Sequence, residues 1–188
     1  LELALDHPDE ALSKLSSLVI PGDPARSSKA LLLQVEILLD LGKTAEARAV
    51  MPAVSSISPR DQPFATFLEA HLLLEEGRAA DAASSFQTLV DQPQGQSLHH
   101  YHTAAIGLAD ALTARGTPQA AVEFLFTFIQ EHPDSPLLEA MFARLLDSLP
   151  DIPARSDPML ERLAEWITPS ILPATGAIAT LQSDAAAA

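Results

Sequence analysis

The chain of 188 residues contains no cysteine and few basic residues. Without cysteine there can be no disulfide, no thiolate catalysis and no cysteine-based zinc site. Cysteine usage therefore does not distinguish an oxidising from a reducing compartment. The 11 Lys and Arg residues face 25 Asp and Glu residues, which gives a net charge of −14. A charge of this sign repels nucleic-acid phosphates and anionic lipid headgroups. Basic or apolar partners therefore fit this protein better.

Long apolar runs are also missing. The richest one, residues 30–42, is interrupted by Gln34, Glu36 and Asp40, so it is too polar for a membrane span of about 20 apolar residues. The sequence has no Ser-His-Asp order, no glycine-rich dinucleotide fingerprint and no HExxH helix. Residues 41–44 end like a phosphate loop, but Ile37 stands where that motif requires glycine. We therefore expect no enzyme activity and no cofactor.

Histidines form the densest group of potential ligands. His99 and His102 could share one helix face and offer two imidazoles to zinc or nickel, but no third or fourth ligand follows nearby. His71 and Glu75 lie one helical turn apart, and two residues do not make a catalytic group. We interpret residues 99–102 as the solvated start of a helix and expect no metal.

A pattern of small residues and glycine turns occurs twice between residues 63 and 133. In the first copy Ala70, Gly77 and Ala82 are followed by Phe86 and Leu89. In the second copy the corresponding residues are Ala109, Gly116, Ala121, Leu125 and Phe128. Within each copy the two alanines are twelve residues apart. An earlier segment repeats the spacing with Val35, Gly42 and Ala47.

This pattern resembles the tetratricopeptide repeat, a helix hairpin of about 34 residues that stacks into a solenoid. The resemblance implies an all-α fold, an α-solenoid of antiparallel hairpins with a right-handed superhelix. We expect three domains: the solenoid over residues 1–149, a capping helix over 150–168 and a tail over 169–188. Because the chain opens inside a repeat, without Met or the basic flank of a signal peptide, we interpret it as an excerpt of a longer protein.

Helix boundaries follow from caps and breakers. The sequence predicts a helix near residues 9–18, a stop at residues 21–28 with Ser27 or Ser28 as the next cap, and a helix over 29–41. The partner of this helix should run through Val54 and stop at Pro59. Ser97 is predicted to cap the helix that runs to residue 115, and a last inner helix should pack through Ala143.

In tetratricopeptide-like solenoids the first helix of each hairpin lines a concave face, and helical spacing predicts which residues project there. The resulting groove is apolar with acidic residues at its edges. Five of its residues, Leu32, Leu39, Phe67, Leu74 and Ile106, are expected to form an apolar band that would mark an interaction site if left in water. A partner's segment, the chain's own C-terminal segment or a neighbouring copy is expected to cover it. The predicted partner-binding residues are Leu32, Glu36, Leu39, Asp40, Phe64, Phe67, His71, Leu74, Glu75, Ile106, Asp110 and Arg144.

The resemblance implies a protein-binding scaffold. A partner's apolar or amphipathic segment would lie in the groove, with the carboxylates of Glu36, Asp40, Glu75 and Asp110 selecting basic flanks. Chaperone-binding members use Lys and Asn in this groove to hold a terminal carboxylate. Here Leu32 and Glu36 stand at those places, so that activity is not expected.

Two alternatives for the function stay open. The solenoid could be a regulatory or sensor module that controls an attached effector domain, or a self-assembly module. In the second case residues 171–181 would fill the groove of the same or another copy. Residues 128–146 are similar to hairpin junctions of bacterial cell-envelope tetratricopeptide proteins, including outer-membrane assembly lipoproteins and Tol-Pal accessory proteins. This similarity favours the periplasm or envelope, with the cytoplasm as the alternative.

Overall fold

The computed structural model describes residues 7–20 and 23–148. Within these ranges the chain forms eight α-helices, one short 3₁₀-helix and no strand. In chain order they are α1 (Pro8–Ser17), α2 (Pro24–Asp40), α3 (Thr44–Val50), the 3₁₀-helix (Val54–Ser56), α4 (Gln62–Glu75), α5 (Ala79–Asp91), α6 (Leu98–Ala114), α7 (Pro118–Glu131) and α8 (Leu138–Ser148). The described helices include none long and apolar enough to cross a membrane.

The chain divides into two units, Leu1–Leu149 and Pro150–Ala188. The described helices belong to the first unit. The predicted helix stump of residues 1–5, the predicted capping helix and the tail with its proposed fold-back segment lie outside the described residues.

The helices stack as hairpins in chain order. Each helix packs against the next along the chain, and the first helices of the hairpins also contact one another, α2 with α4, α4 with α6, and α6 with α8. The predicted all-α fold of stacked antiparallel hairpins is therefore confirmed. Contacts between neighbouring hairpins are what joins a repeat protein into one body.

Each hairpin turns at a glycine with positive φ. The angle is 69° at Gly42, 77° at Gly77 and 86° at Gly116, a left-handed conformation that residues with a side chain rarely adopt. After each glycine the next backbone N–H donates to the carbonyl oxygen five residues earlier, over 2.8 to 3.0 Å. The three bonds run from the N–H of residue 43 to the C=O of residue 38, from 78 to 73, and from 117 to 112. This is the hydrogen bond of the Schellman motif, so one turn geometry closes all three hairpins.

The small residues of the repeat lie between the helices, as the spacing predicts. Their exposed fraction is 1% or less in every case: Val35, Ala47, Ala70, Ala82, Ala109 and Ala121. A larger side chain at such a position would separate two helices that pack closely. The packing interpretation of the repeat is therefore confirmed.

A second close approach involves Gly107, which sequence reasoning did not single out. A Cβ atom at this position would lie 2.6 Å from Cζ of Phe86, whose side chain is completely buried. Phe86 belongs to α5 and Gly107 to α6, so the missing Cβ lets two consecutive hairpins interlock.

The predicted start of α2 was wrong. Helix α2 begins at Pro24 and not near Lys29, because proline fits the first turn of a helix, where its missing N–H is not needed. Ser27 therefore lies inside the helix, and its hydroxyl donates to the carbonyl of Ile20 and accepts from its N–H, both over 3.0 Å.

Helix α3 ends at Val50, so it does not extend through Val54. Pro52 disfavours the helical conformation of the residue before it, and Met51 accordingly has a ψ of 121°. At the other end Ala143 is exposed, contrary to expectation, while Met141 and Leu145 form the buried side of α8. No described helix follows α8 to cover Ala143.

Replacing Ala82 with Trp should destabilise the protein by about 3 kcal/mol, because the indole has no room between α4 and α5. Ala80 is exposed on the same helix, so Ala80→Trp is the matched control and should change stability little. Urea unfolding followed by circular dichroism measures both. Equal unfolding midpoints for the two variants would contradict the packing of Ala82.

Gly107→Ala should also destabilise the protein, by about 1–3 kcal/mol. Alanine has the higher helix propensity by about 1 kcal/mol, so the sign of the effect separates steric conflict from propensity. In a Phe86→Leu background the conflict is removed, and the same substitution should become neutral or stabilising. A stabilising Gly107→Ala in the wild-type background would refute the close approach to Phe86.

Candidate partner-binding groove on the first helices

A pocket of about 220 Å³ opens where α2, α4 and α6 meet. We call it the inner pocket. Each of the three first helices contributes side chains to its wall, and helical spacing explains which, since residues three or four apart share a face. The lining residues are Glu36, Leu39 and Asp40 from α2, Phe67, Leu68, His71 and Glu75 from α4, and His99, His100 and Thr103 from α6.

Carboxylates supply the formal charge of the inner pocket. Glu36 and Asp40 lie one turn apart on α2, and Glu75 lies near the end of α4. The side chain of Glu36 is only 14% exposed. Burial, and next the charge of Glu36, raise the pKa of Asp40 above its usual value. No Lys or Arg is among the lining residues, so these carboxylates have no guanidinium or ammonium partner there.

His100 links three hairpins across the inner pocket. Its ring stacks on Phe64 with centroids 4.8 Å apart and planes at 11°, and on Phe67 at 5.2 Å and 29°. Its Nε2 lies 3.9 Å from Oε1 of Glu36, which is too far for a hydrogen bond. A side chain of α6 thus packs on α4 and reaches α2.

His71 forms the back of the inner pocket. Its ring meets the rings of Phe67 and Phe86 edge to face, at centroid distances of 4.6 and 5.0 Å. Its Nε2 is buried and has no hydrogen-bond partner among the described residues. Burial lowers the pKa of His71 from 6.5 to about 4, because the apolar surroundings disfavour the charged imidazolium.

Six of the predicted groove residues meet in the inner pocket: Glu36, Leu39, Asp40, Phe67, His71 and Glu75. The expectation that Leu32 and Phe67 need another segment to cover them is wrong. Leu32 is 0% exposed and Phe67 is 7% exposed, because α2 and α4 pack directly on each other and cover these side chains. Phe67 lines the pocket with little exposed surface, and the fully buried Leu32 is not among the lining residues.

The remaining predicted residues lie beside the inner pocket. Phe64 supports His100 from outside the lining, and Leu74 and Ile106 are partly buried. The Nε of Arg144 lies 3.2 Å from Oδ1 of Asp110, so α8 already supplies a positive partner to this carboxylate. The predicted role of Asp110 in selecting basic flanks is weakened by this pairing.

Interpreting residues 99–102 as a solvated helix start was wrong for two of the three histidines. His99 is exposed, but His100 is 26% exposed and His102 is 3% exposed. His102 lies edge-on to Phe128, and its Nδ1 is 2.9 Å from the hydroxyl oxygen of Ser135. The predicted cap is confirmed, since Ser97 accepts a hydrogen bond from the backbone N–H of His100 over 3.1 Å.

The contacts of His100 and His102 could not be predicted from residues 99–102 alone, because His, His, Tyr, His is a polar run. The sequence signal for His100 is the aromatic pair Phe64 and Phe67 one hairpin earlier, on the helix that packs against α6. Within the described residues, no three His, Asp or Glu side chains are arranged to hold a metal ion.

Stacked antiparallel hairpins closed by one repeated turn define an α-helical repeat protein. Residues 67–136 match the family model of the tetratricopeptide repeat. No curated protein and no solved structure matches the chain. Tetratricopeptide repeats generally mediate protein–protein interactions, which makes the inner pocket a candidate contact for a protein.

The buried His71 predicts a loss of stability in acid. Its pKa is lower in the folded chain than in the unfolded one, so its neutral form contributes full stability above about pH 6.5, and this contribution is lost as the pH falls toward 4. Between pH 7 and pH 4.5 the His71→Leu variant should therefore lose about 2 kcal/mol less stability than the wild type.

Urea unfolding at the two pH values measures this difference. His99→Leu, which removes an exposed imidazole from the same pocket, is the control and should follow the wild type. An identical pH dependence for His71→Leu and the wild type would show that His71 is not buried in its neutral form.

Proposed function

We propose that this protein is a non-catalytic scaffold that holds a segment of another protein on the face formed by α2, α4 and α6. The observation that carries the proposal is the inner pocket, whose wall comes from three consecutive hairpins. A segment seated there contacts all three at once. The tetratricopeptide match supports a protein partner over other classes of ligand.

The chemistry of the pocket supports an apolar or basic segment. Leu39 is partly exposed and supplies apolar surface, while Phe67 and Leu68 line the pocket although they are almost fully buried. Glu36, Asp40 and Glu75 supply negative charge. An apolar centre surrounded by polar groups is the usual anatomy of a protein interface. The net charge of −14 adds a long-range attraction for basic partners.

The rigidity of the floor supports the same function. His100 is stacked against Phe64 and Phe67, and His71 is enclosed by Phe67 and Phe86. Ring contacts of this kind fix side-chain orientation, so little conformational entropy is lost when a partner binds. A preformed pocket of this kind suits an extended segment with one or two anchoring side chains.

A display library of random peptides tests the proposal. Peptides selected on the wild-type chain should lose at least tenfold in affinity for Leu39→Lys, because the added ammonium group enters the pocket and repels a basic segment. Leu146 is 59% exposed on α8 and does not line the pocket, so Leu146→Lys adds the same charge elsewhere as the control.

Fluorescence anisotropy measures the affinities, and circular dichroism checks that both variants keep their helices. Peptides that bind Leu39→Lys as well as Leu146→Lys would place the binding surface elsewhere and contradict the proposal. A library that yields no binding peptide would contradict it as well.

A further inference from the structure

The described residues that line the inner pocket include no Lys or Arg to match its carboxylates. Glu36 is largely enclosed, and Nε2 of His100 lies 3.9 Å from its Oε1, too far for a hydrogen bond. Elsewhere Arg48 is held by Glu69 at 2.6 Å and Glu76 at 2.7 Å. Arg144 likewise pairs with Asp110 at 3.2 Å. A cation from another molecule can therefore pair with the carboxylates of the inner pocket.

The size of the pocket limits what can enter. A volume of about 220 Å³ is below the roughly 300–1,000 Å³ of ligand pockets, so it suits one long side chain and not a helix. The lining combines aromatic rings, His100 stacked on Phe67, with the carboxylates of Glu36, Asp40 and Glu75. Rings and carboxylates together suit a planar charged group.

A second unpartnered polar group lies at the back of the same pocket. Nε2 of His71 is buried without a hydrogen bond, and the ring is neutral at ordinary pH because burial lowers its pKa to about 4. A neutral imidazole does not repel an incoming cation. Burial and the charge of Glu36 also raise the pKa of Asp40, which is the shift that carboxylates without a matching cation show.

We propose that the inner pocket binds the guanidinium group of an arginine from the partner segment. This proposal rests on the function proposed above and names the side chain that anchors the segment. The guanidinium enters beside His100 and donates hydrogen bonds to Glu36 and Asp40, which lie one turn apart on the same face of α2. Glu75 closes the site from α4.

Arginine fits this slot better than lysine for three physical reasons. Its planar fork donates to two carboxylates at once, its flat face stacks on aromatic rings, and it is more weakly hydrated than an ammonium group. A lysine ammonium is compact and strongly hydrated, so in a half-enclosed slot it gains less from the rings and loses more of its hydration.

The probe is a set of three blocked tripeptides, acetyl-Gly-X-Gly-amide, in which X is arginine, lysine or citrulline. Citrulline has nearly the shape of arginine without the charge. The imidazole protons of His99 and His100, followed by NMR, report entry into the pocket. The arginine peptide should shift these signals saturably, with the lysine peptide several-fold weaker and the citrulline peptide at least tenfold weaker.

The Glu36→Gln and Asp40→Asn variants should each weaken the arginine peptide at least fivefold. Glu123→Gln, which removes an exposed carboxylate on α7, should leave the affinity unchanged. All three substitutions keep the size of the side chain, and unchanged circular dichroism confirms that the variants are folded. A citrulline peptide that binds as well as the arginine peptide would overturn the proposal, as would the absence of any shift at about 10 mM arginine peptide.

Failure of this inference can be told apart from failure of the proposed function. Library peptides without arginine that still lose affinity for Leu39→Lys would leave the scaffold function standing and reject the arginine pocket. Library peptides whose affinity falls at least tenfold when their arginine is replaced by citrulline would support both.

Discussion

Close contact between helices at small residues is the constraint on which the rest of the structure depends. Ala70, Ala82, Ala109 and Ala121 let the two helices of a hairpin approach closely, and Gly107 lets Phe86 of one hairpin enter the next. Dense packing leaves little freedom for the angle between neighbouring helices. The relative positions of α2, α4 and α6 follow from these contacts, and so does the inner pocket.

The same packing decides which charged side chains form ion pairs between hairpins. Arg48 joins α3 to Glu69 of α4 and to Glu76, which directly follows that helix, and Arg144 joins α8 to Asp110 of α6. These two basic residues bridge hairpins and are used within the chain. At the inner pocket the bridge is instead made by His100, which stacks on Phe64 and lies 3.9 Å from Glu36. Among the described residues that line this pocket, the carboxylates have no Lys or Arg beside them.

Much of the fold could be predicted from the sequence because repeated turns require glycine and repeated contacts require alanine. Gly42, Gly77 and Gly116 fix the hairpins whatever lies between them. Helix ends were harder to predict. Pro24 was interpreted as a breaker although the chain uses it to start α2, and the short α3 follows from Pro52, whose effect on the preceding residue was overlooked.

The candidate site was predicted in part. Helical spacing placed Glu36, Asp40, His71 and Glu75 on one face, because residues three and four apart share a side of a helix. It could not tell that Leu32 is covered, since burial depends on how closely α2 approaches α4. It also missed His100, whose partners Phe64 and Phe67 lie more than thirty residues away in the chain.

Photo-cross-linking from the inner pocket tests most directly whether this face holds another protein. A photoreactive residue would replace Thr103, which lines the pocket, and in a matched variant Thr127, which is exposed on α7. In the native host cell, cross-links to a partner protein should form from position 103 and not from position 127, with the linked peptide carrying an arginine near the point of attachment. Cross-links from position 127 alone would contradict the account.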